Sequence, residues 1–428
     1  MLATDHSAET WYEATVQRGK PRTALTGATA TDVCIVGGGL AGLTTALELA
    51  RRGRGVVLLE AKRLSWAASG RNGGFVSSGF AVGQEVIAKR VGEDAAIALF
   101  RLSSHGTEYV RREIASGDPS IKMGDGWLSA TRYDAGDRKA EEVRAHIAAL
   151  GDLRQAYSIS ETRALLDSQR YFQSTLDPLA FHMHPLRYAL MLAVRAEAAG
   201  ARIFENAAVT GVERKGTGYT VRTASGEVQA GQVVYCVNAL DRKLHPTTGR
   251  AVLPVATYIA VTAPLTQTAI RTHHAISDSR RAGNYYRLLD EGRILWGGAI
   301  TTRVSEPKHL AEDMKRDMLA TFPQLGNPKI DYAWAGLMGY ARHMMPLIGT
   351  DGQGQWWGTG FGGHGMNTTA MAGLVLSRAI AAKDDEYRRF APFGPLWVGG
   401  PFGRAAVQLS YWSMQLRDLA DERRSRAR

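Results

Sequence analysis

Cysteine is almost missing from this chain. Its 428 residues include two, Cys34 and Cys236, each inside an apolar, strand-like run. That excludes a disulfide-stapled secreted scaffold and predicts buried, inert thiols in a reducing, cytoplasmic setting. No His, Cys, Asp and Glu set has metal-ligand spacing, so no metal site is expected. No apolar run reaches the roughly 18 residues of a membrane span. The first residues, MLATDHSAETWYEATVQRGK, lack a basic segment followed by an apolar one, which argues against a secretory leader. No basic stripe is interleaved with aromatics, so nucleic acid is not an expected partner.

Positive charge and glycine are plentiful. Lys and Arg number 52 against 41 Asp and Glu, a net charge of +11. Part of the excess is a tail with Arg423, Arg424, Arg426 and Arg428. Such an excess attracts an anionic cofactor, an anionic substrate or a membrane surface, although a solvated basic surface is the simpler reading. The 47 glycines suit a fold with many close backbone–ligand approaches. The 45% hydrophobic and 22% charged composition is that of a globular protein. The length predicts two intimately connected domains.

Residues 31–74 organise the rest. Val33, Cys34, Ile35 and Val36 form a short apolar run rich in β-branched side chains, which predicts a buried parallel strand. Gly37, Gly39 and Gly42 then give G-x-G-x-x-G. In that spacing the first glycine turns the chain, the second admits a pyrophosphate, and the third lets helix and strand pack closely. Leu40, Leu43, Leu47 and Ala50 share one helix face. Arg51 and Arg52 suit its negative C-terminal end, and Gly53 suits its stop. A second strand over 56–59 ends on Glu60, eighteen residues past Gly42. An acidic residue there accepts hydrogen bonds from an adenosine ribose. The ordered set of strand, glycines, helix, strand and acid predicts a dinucleotide site. Directly after it, Ser69-Gly70-Arg71-Asn72-Gly73-Gly74 reads as a loop whose amides lie against a flat ring or a phosphate.

Farther along, residues 85–170 read mostly as helix, with helices over 93–113 and 135–150 around a strand at 127–131. A helix over 186–199 and a strand over 201–204 come next. Residues 232–237 read as a parallel strand rejoining the nucleotide half. Residues 251–305 are strand-rich, the best candidate for an antiparallel sheet carrying a substrate pocket. Residues 306–323 read as a polar helix. The glycine cluster of residues 358–369 repeats G-x-G-x-x-G at Gly360, Gly362 and Gly365. No apolar strand leads to an acidic residue after it, so it reads as a helix N-terminus aimed at another part of the same cofactor. The expected division is an arm over 1–30, in which Trp11 and Tyr12 dock on the body, and a discontinuous nucleotide domain over 31–90, 178–250 and 330–382. A substrate domain covers 91–177 and 251–329, and a C-terminal extension covers 383–428. In that extension an aromatic-rich helix around Tyr411, Trp412 and Leu416 packs back on the body, or else contacts a membrane surface or another subunit.

The order VGGGLAGL, acidic strand end, SGRNGG and GFGGHGMN resembles the D-amino-acid-oxidase-like family of FAD enzymes, from residue 31 to about 382. ASGRNGG, the YYR and GRILWGG segments and the C-terminal extension are most similar to the γ-glutamylputrescine oxidase branch. That branch also contains enzymes acting on cyclic imino acids such as L-pipecolate. The resemblance implies an α/β architecture: a Rossmann-like FAD-binding domain with a parallel sheet, and an interleaved α+β substrate domain with a mainly antiparallel sheet. FAD would lie extended. Gly37, Gly39, Leu40, Ala41 and Gly42 would meet its pyrophosphate, Glu60 the ribose, Ala61 and Lys62 the adenosine end, and Val209 the adenine. Ser69, Gly70, Arg71, Asn72, Gly73 and Gly74 would meet pyrophosphate and isoalloxazine. Asn238 and Gly336 join the cofactor contacts, and Gly363, His364, Gly365, Met366 and Asn367 would face the flavin's pyrimidine end. Two departures matter. Some relatives tether flavin through a late cysteine, and this chain has none after Cys236; others use a histidine where this chain has Trp66-Ala67-Ala68. FAD is therefore expected to be non-covalent. Trp334-Ala335-Gly336 continues with Leu337-Met338, without the carboxylate-binding arginine found there in α-amino-acid oxidases of the family.

The implied reaction passes a hydride from the carbon beside nitrogen to flavin N5 and leaves an imine that water hydrolyses. The substrate is an amine or an imino or amino acid, and O₂ or a quinone reoxidises the flavin. Catalytic candidates are His364, Arg342 as the available cation, and Tyr258 and Tyr286 on the strand-rich segment. Strand alternation sends Tyr285 and Tyr286 to opposite faces, so at most one lines a pocket. The alternative is a membrane-docked flavin dehydrogenase that passes electrons to quinone. A regulatory flavin protein and a nicotinamide-dependent hydroxylase are weaker readings.

Overall fold

The computed structural model describes residues 9–149, 152–240, 243–281 and 283–426. Leu150, residues 1–8 of the arm and the tail residue Arg428 lie outside them. The chain opens with helix α1 (Trp11–Ala14), strand β1 (Gly27–Val36), α2 (Leu40–Arg51) and β2 (Val56–Leu59). A single turn, α3 (Ala68–Arg71), leads to β3 (Phe75–Val76), α4 (Gln84–Val91) and α5 (Glu93–Ser116). Then come β4 (Lys122–Ala130), α6 (Asp137–Ala149), β5 (Gln155–Tyr157), α7 (Ile159–Leu165), β6 (Ser174–Met183), α8 (Pro185–Ala198) and β7 (Arg202–Phe204). Next is a meander of β8 (Val209–Lys215), β9 (Gly218–Thr223) and β10 (Gly226–Tyr235). After α9 (Pro246–Gly249) the strands are β11 (Leu253–Thr262), β12 (Ala275–Asp278), β13 (Tyr285–Leu288) and β14 (Ile294–Thr301). The chain closes with α10 (Leu310–Thr321), β15 (Ile330–Tyr340), β16 (Leu347–Thr350), β17 (Gln355–Thr359), α11 (Gly365–Ala382) and α12 (Gly400–Arg426).

Two sheets carry these elements. In the first, β10, β1, β2 and β7 run parallel in that order, with β17 parallel beside β10 and β16 antiparallel at the edge. Residues 33–36 are fully buried because β2 and β10 flank them on both sides, in register Val33↔Val56 and Val36↔Tyr235. Each aliphatic side chain buried this way contributes about 1.5–3 kcal/mol. Helices α2, α8 and α11 cover this sheet, and α5 packs on α11. Gly373 of α11 lets that helix close on α2, since a Cβ there would meet Thr44 Cβ at 2.6 Å. Gly53, at φ +71°, ends α2 as the sequence predicts.

The second sheet has the order β15-β11-β14-β13-β12-β4-β6-β3 and is antiparallel except where β12 pairs with β4. It is the mainly antiparallel sheet of the expected α/β plus α+β architecture. Of the segments assigned above to the nucleotide half, β3, β15 and residues 178–183 of β6 hydrogen-bond into this sheet. Its core cluster packs Tyr258, Tyr286 and Trp296 against Met314 and Met318 of α10. SGRNGG is not wholly a loop: Ala68–Arg71 form one helical turn, and Asn72 after it is extended.

The arm is stitched in by a buried cation. Trp11 and Tyr12 are buried, and the Tyr12 hydroxyl accepts a hydrogen bond from Arg287 Nη2 at 3.1 Å. Arg287, fully buried, also donates to His182 Nδ1 at 2.7 Å and to the Met183 carbonyl at 3.0 Å. Burial, with Arg287 beside it, holds His182 down at about 3, so this imidazole stays neutral.

Candidate functional site

A cavity of about 480 Å³ opens at the C-terminal ends of β1, β2 and β10 and runs on to the second sheet. That is where ligands bind in parallel α/β sheets. Gly37 turns the chain at φ +109°, with a hypothetical Cβ 2.6 Å from the Cys236 carbonyl. Gly39 caps α2 without a side-chain bond, and with Leu40 and Ala41 it lines the cavity. A Cβ on Gly39 would meet Ser69 Oγ at 2.8 Å, and Ser69 Oγ accepts the Leu40 amide at 3.0 Å. Gly42 does not line the cavity: a Cβ there would run into the Gly37 carbonyl, so this glycine lets α2 sit on β1.

Glu60 ends β2 in the cavity wall, 6% exposed. Its Oε2 accepts the Gly38 amide at 2.7 Å, and its Oε1 accepts the Lys62 amide at 2.9 Å and the Trp66 indole N–H at 2.9 Å. Burial raises its pKa, while these donors pull it down. A carboxylate has about four acceptor positions, so Glu60 keeps capacity for a ribose hydroxyl. Ala61 and Val209 line the same end. The Lys62 side chain is exposed and lies over the Trp66 ring, Nζ 4.3 Å from its centroid.

The one-turn α3 and the residues just past it supply Ser69, Arg71, Asn72, Gly73 and Gly74 to the wall, while Gly70 is buried behind it against the Ser65 carbonyl. Arg71 is clasped to β15: its Nε donates to the Ala335 carbonyl at 3.2 Å, and its own carbonyl accepts Trp334 Nε1–H at 2.9 Å. Burial lowers the Arg71 pKa. Asn238 after β10, Gly336 of β15, and Gly363, His364, Gly365 and Met366 at the start of α11 also line the cavity. Asn367 turns away and donates to the Gly79 carbonyl at 3.0 Å, which fixes α11 to the body.

His364 is partly buried. Its Nε2 lies 3.1 Å from Ser77 Oγ, its ring stacks on Trp127 at 6.2 Å, and burial lowers its pKa. Around it, Phe75, Trp127 and Tyr285 line the end of the cavity that lies on the second sheet. Phe75 meets Trp127 edge-on at 5.3 Å and Tyr285 edge-on at 5.7 Å. The Tyr285 ring sits between two glycines. A Cβ on Gly73 would meet it at 2.8 Å, and one on Gly297, its cross-strand partner, would overlap it. Thr257, Ser277, Asp278 and Arg280 complete this end. The Asp278 side chain is buried in the wall, 3.3 Å from Arg132 Nε, and burial raises its carboxyl to about 7 against the pull of Arg132.

Three expected catalytic side chains lie elsewhere. Tyr286 points into the core and stacks on Trp296 at 4.6 Å, while Tyr285 takes the cavity face. Tyr258 shares that core, while its neighbour Thr257 faces the cavity. Arg342, just past β15, is exposed and outside the cavity lining. Sequence reading missed Trp66, Phe75, Trp127 and Thr257. Only Trp66 had a local signal, as an amphipathic side chain in the segment that comes after Glu60.

The donor and cradle set fits an extended dinucleotide. The helix starts of α2 and α11, neither capped by its own N-cap side chain, lie at either wall, the glycines leave no side chain between backbone and ligand, and Glu60 ends β2 where an acidic residue would meet a ribose. Residues 32–379 match the family model described as FAD dependent oxidoreductase. A probable oxidoreductase, OrdL, of Haemophilus influenzae is 32% identical over 88% of this chain and 88% of its own length. The γ-glutamylputrescine oxidoreductase of Escherichia coli is 30% identical over 96% of this chain and 99% of its own. Among solved structures, glycine oxidase from Geobacillus kaustophilus superposes with a TM-score of 0.72 at 17% identity, covering 86% of this chain and 98% of that one. Among the described residues no helix is long and apolar enough to cross a membrane.

Proposed function

The chain belongs to the FAD-dependent oxidoreductase family, and from that premise we propose that it oxidises the C–N bond of an amine whose nitrogen enters the aromatic end of the cavity. Bound along the cleft, FAD supplies the acceptor for the hydride that leaves the carbon next to nitrogen. The substrate becomes an imine, which water hydrolyses to a carbonyl compound and an amine or ammonia.

The observation that carries this reading is the continuity of one cavity from Glu60 and the α2 glycines to Phe75, Trp127, Tyr285 and His364. Aromatic faces attract a cationic amine as it arrives and hold the reacting carbon without competing for its hydrogen bonds. His364, whose pKa burial lowers and whose ring is held at Ser77, lines this end of the cavity, where it would orient the bound amine. Gly37, Gly39, Ser69 and Asn72 would hold the pyrophosphate, Glu60 the ribose, and Gly363–Met366 the flavin's pyrimidine end. No cysteine follows Cys236, so the cofactor is held without a covalent tether.

Arg342 stands outside the cavity, and Arg280, which lines it, is paired with Asp317 and Glu422, which favours a γ-glutamylputrescine-like amine over an L-pipecolate-like imino acid whose carboxylate sits beside the reacting carbon. We assign the parallel-sheet segments to the cofactor and the antiparallel-sheet segments to the substrate, with O₂ as the final acceptor. The test is anaerobic bleaching of the yellow protein by a panel of N-substituted diamines, cyclic imino acids and α-amino acids. Bleaching by the amines first supports the reading. Bleaching only by α-amino or imino acids overturns it. A subsequent air pulse that yields peroxide identifies O₂.

A further inference from the structure

The C-terminal helix α12 docks through a mixed face, in which half-buried Val407, Tyr411 and Met414 stand among polar side chains that grip the body. Gln408 accepts from Thr301 Oγ1 at 2.7 Å, and Arg404 donates to the Thr302 carbonyl at 2.8 Å. Asp418 pairs with Arg281 at 2.6 Å, and Glu422 pairs with Arg280 at 2.8 Å. The opposite face is apolar and points to solvent. Phe402 is 83% exposed, Leu416 68% and Trp412 55%, with Leu409 and Leu419 on the same stripe and Trp397 exposed just before the helix. A surface helix ordinarily turns its large apolar side chains inward. The stripe runs for roughly 26 Å, at about 1.5 Å per residue. A continuous apolar patch of this kind marks an interaction surface.

We propose that this face is a docking surface for an anionic membrane, on which α12 lies flat in the headgroup region. Two observations choose the occupant. The charge around the stripe is positive. Arg417, Arg423 and Arg424 are exposed, while the helix's acids are spent on the body side, Asp418 on Arg281 and Glu422 on Arg280, with Asp421 shared between Arg281 and Arg424. The stripe combines Phe, Trp and Leu, the set that settles at a lipid–water boundary. Phe402, Leu409 and Leu416 also recur every seven residues, as in a helix pair. In a helix pair, charges beside the seam set partner choice and orientation. The flanking positions Ala406, Gln408, Ser413, Gln415 and Ala420 carry none, and Glu422 is engaged by Arg280 of the body. Docking through this face would set the antiparallel sheet near the bilayer, because Arg280, which grips α12, also lines the cavity.

Flotation of the FAD-loaded full chain tests this, with vesicles of phosphatidylcholine alone and of phosphatidylcholine mixed equally with phosphatidylglycerol. The chain should float with the anionic vesicles, float far less with the neutral ones, and release as salt is raised. Leu409→Ser/Leu416→Ser should lower the partition by about tenfold or more, and Arg417→Gln/Arg423→Gln should erase the preference for the anionic lipid. The wild-type comparison decides even where a variant folds poorly. Wild-type protein that stays with neither vesicle overturns the proposal. So does a solution dimer that Leu409→Ser/Leu416→Ser splits, since the face then belongs to a second copy.

Discussion

Trp66 Nε1 and Glu60 Oε1 lie 2.9 Å apart, so the indole fixes the carboxylate at the place where a ribose would be bound. Three donors hold Glu60 in one orientation although burial works against its charge. Trp66→Phe keeps an aromatic ring and removes one donor to an ionised group. A hydrogen bond of that kind is worth about 1.5–3 kcal/mol, so FAD binding should weaken by roughly tenfold or more. Fluorescence titration of apoprotein with FAD reads this directly, and an unchanged Kd would show that the two amides suffice.

The fingerprint glycines should separate into two kinds. Gly39→Ala places a methyl 2.8 Å from Ser69 Oγ in the cleft wall, so the chain should fold and bind FAD weakly. Gly42→Ala drives into the Gly37 carbonyl and should lift α2 off β1, lowering Tm with or without FAD. Thermal melts at several FAD concentrations distinguish them: added FAD restores the first and not the second.

Tyr285 and Tyr286 provide a matched pair. Tyr285→Ala removes one wall of the aromatic end and should raise KM for the amine about tenfold in the protein that remains folded. Tyr286→Ala empties a core site beside Trp296 and Phe322 and should cost about 3–5 kcal/mol of stability, with KM unchanged in the protein that remains folded. Arg342→Ala should change neither. A KM effect at Arg342 would return that exposed side chain to the site.

Much of the cofactor half was readable from local sequence. Glycine spacing, a β-branched run and a strand-ending acid each encode their own geometry, and Gly37, Gly39, Gly42 and Glu60 stand where those rules put them. The substrate half was not readable in that way. Which of Tyr285 and Tyr286 meets the cavity depends on β13 pairing Tyr285 with Gly297, a contact made across the sheet, and on Gly73 clearing the ring from the other side. Phe75 and Trp127 converge from strands that share no local pattern. Arg342 looked available because it follows Trp334-Ala335-Gly336 closely, but the chain leaves β15 before reaching it.

The buried Asp278 gives a pH signature. Its folded pKa of about 7 lies above the unfolded value of about 3.9. Its contribution to stability is therefore fully present below about pH 4 and is lost as pH rises through about 7. Asp278→Asn removes that titration, so the Tm of the variant should gain on the wild type as pH climbs from 4 to 7. Paired melts across that range check it. A constant difference would mean that Arg132 keeps the carboxyl ionised throughout.

The clasp between Arg71 and β15 makes the two sheets joint owners of one ligand cleft. Whatever fills the cleft binds only the assembled pair, so its free energy of binding adds to the cohesion of both sheets in proportion to the logarithm of its concentration. Emptying the cleft would therefore withdraw support from both sheets at once, leaving the seam where Arg71 meets Trp334 and Ala335 to hold on its own hydrogen bonds.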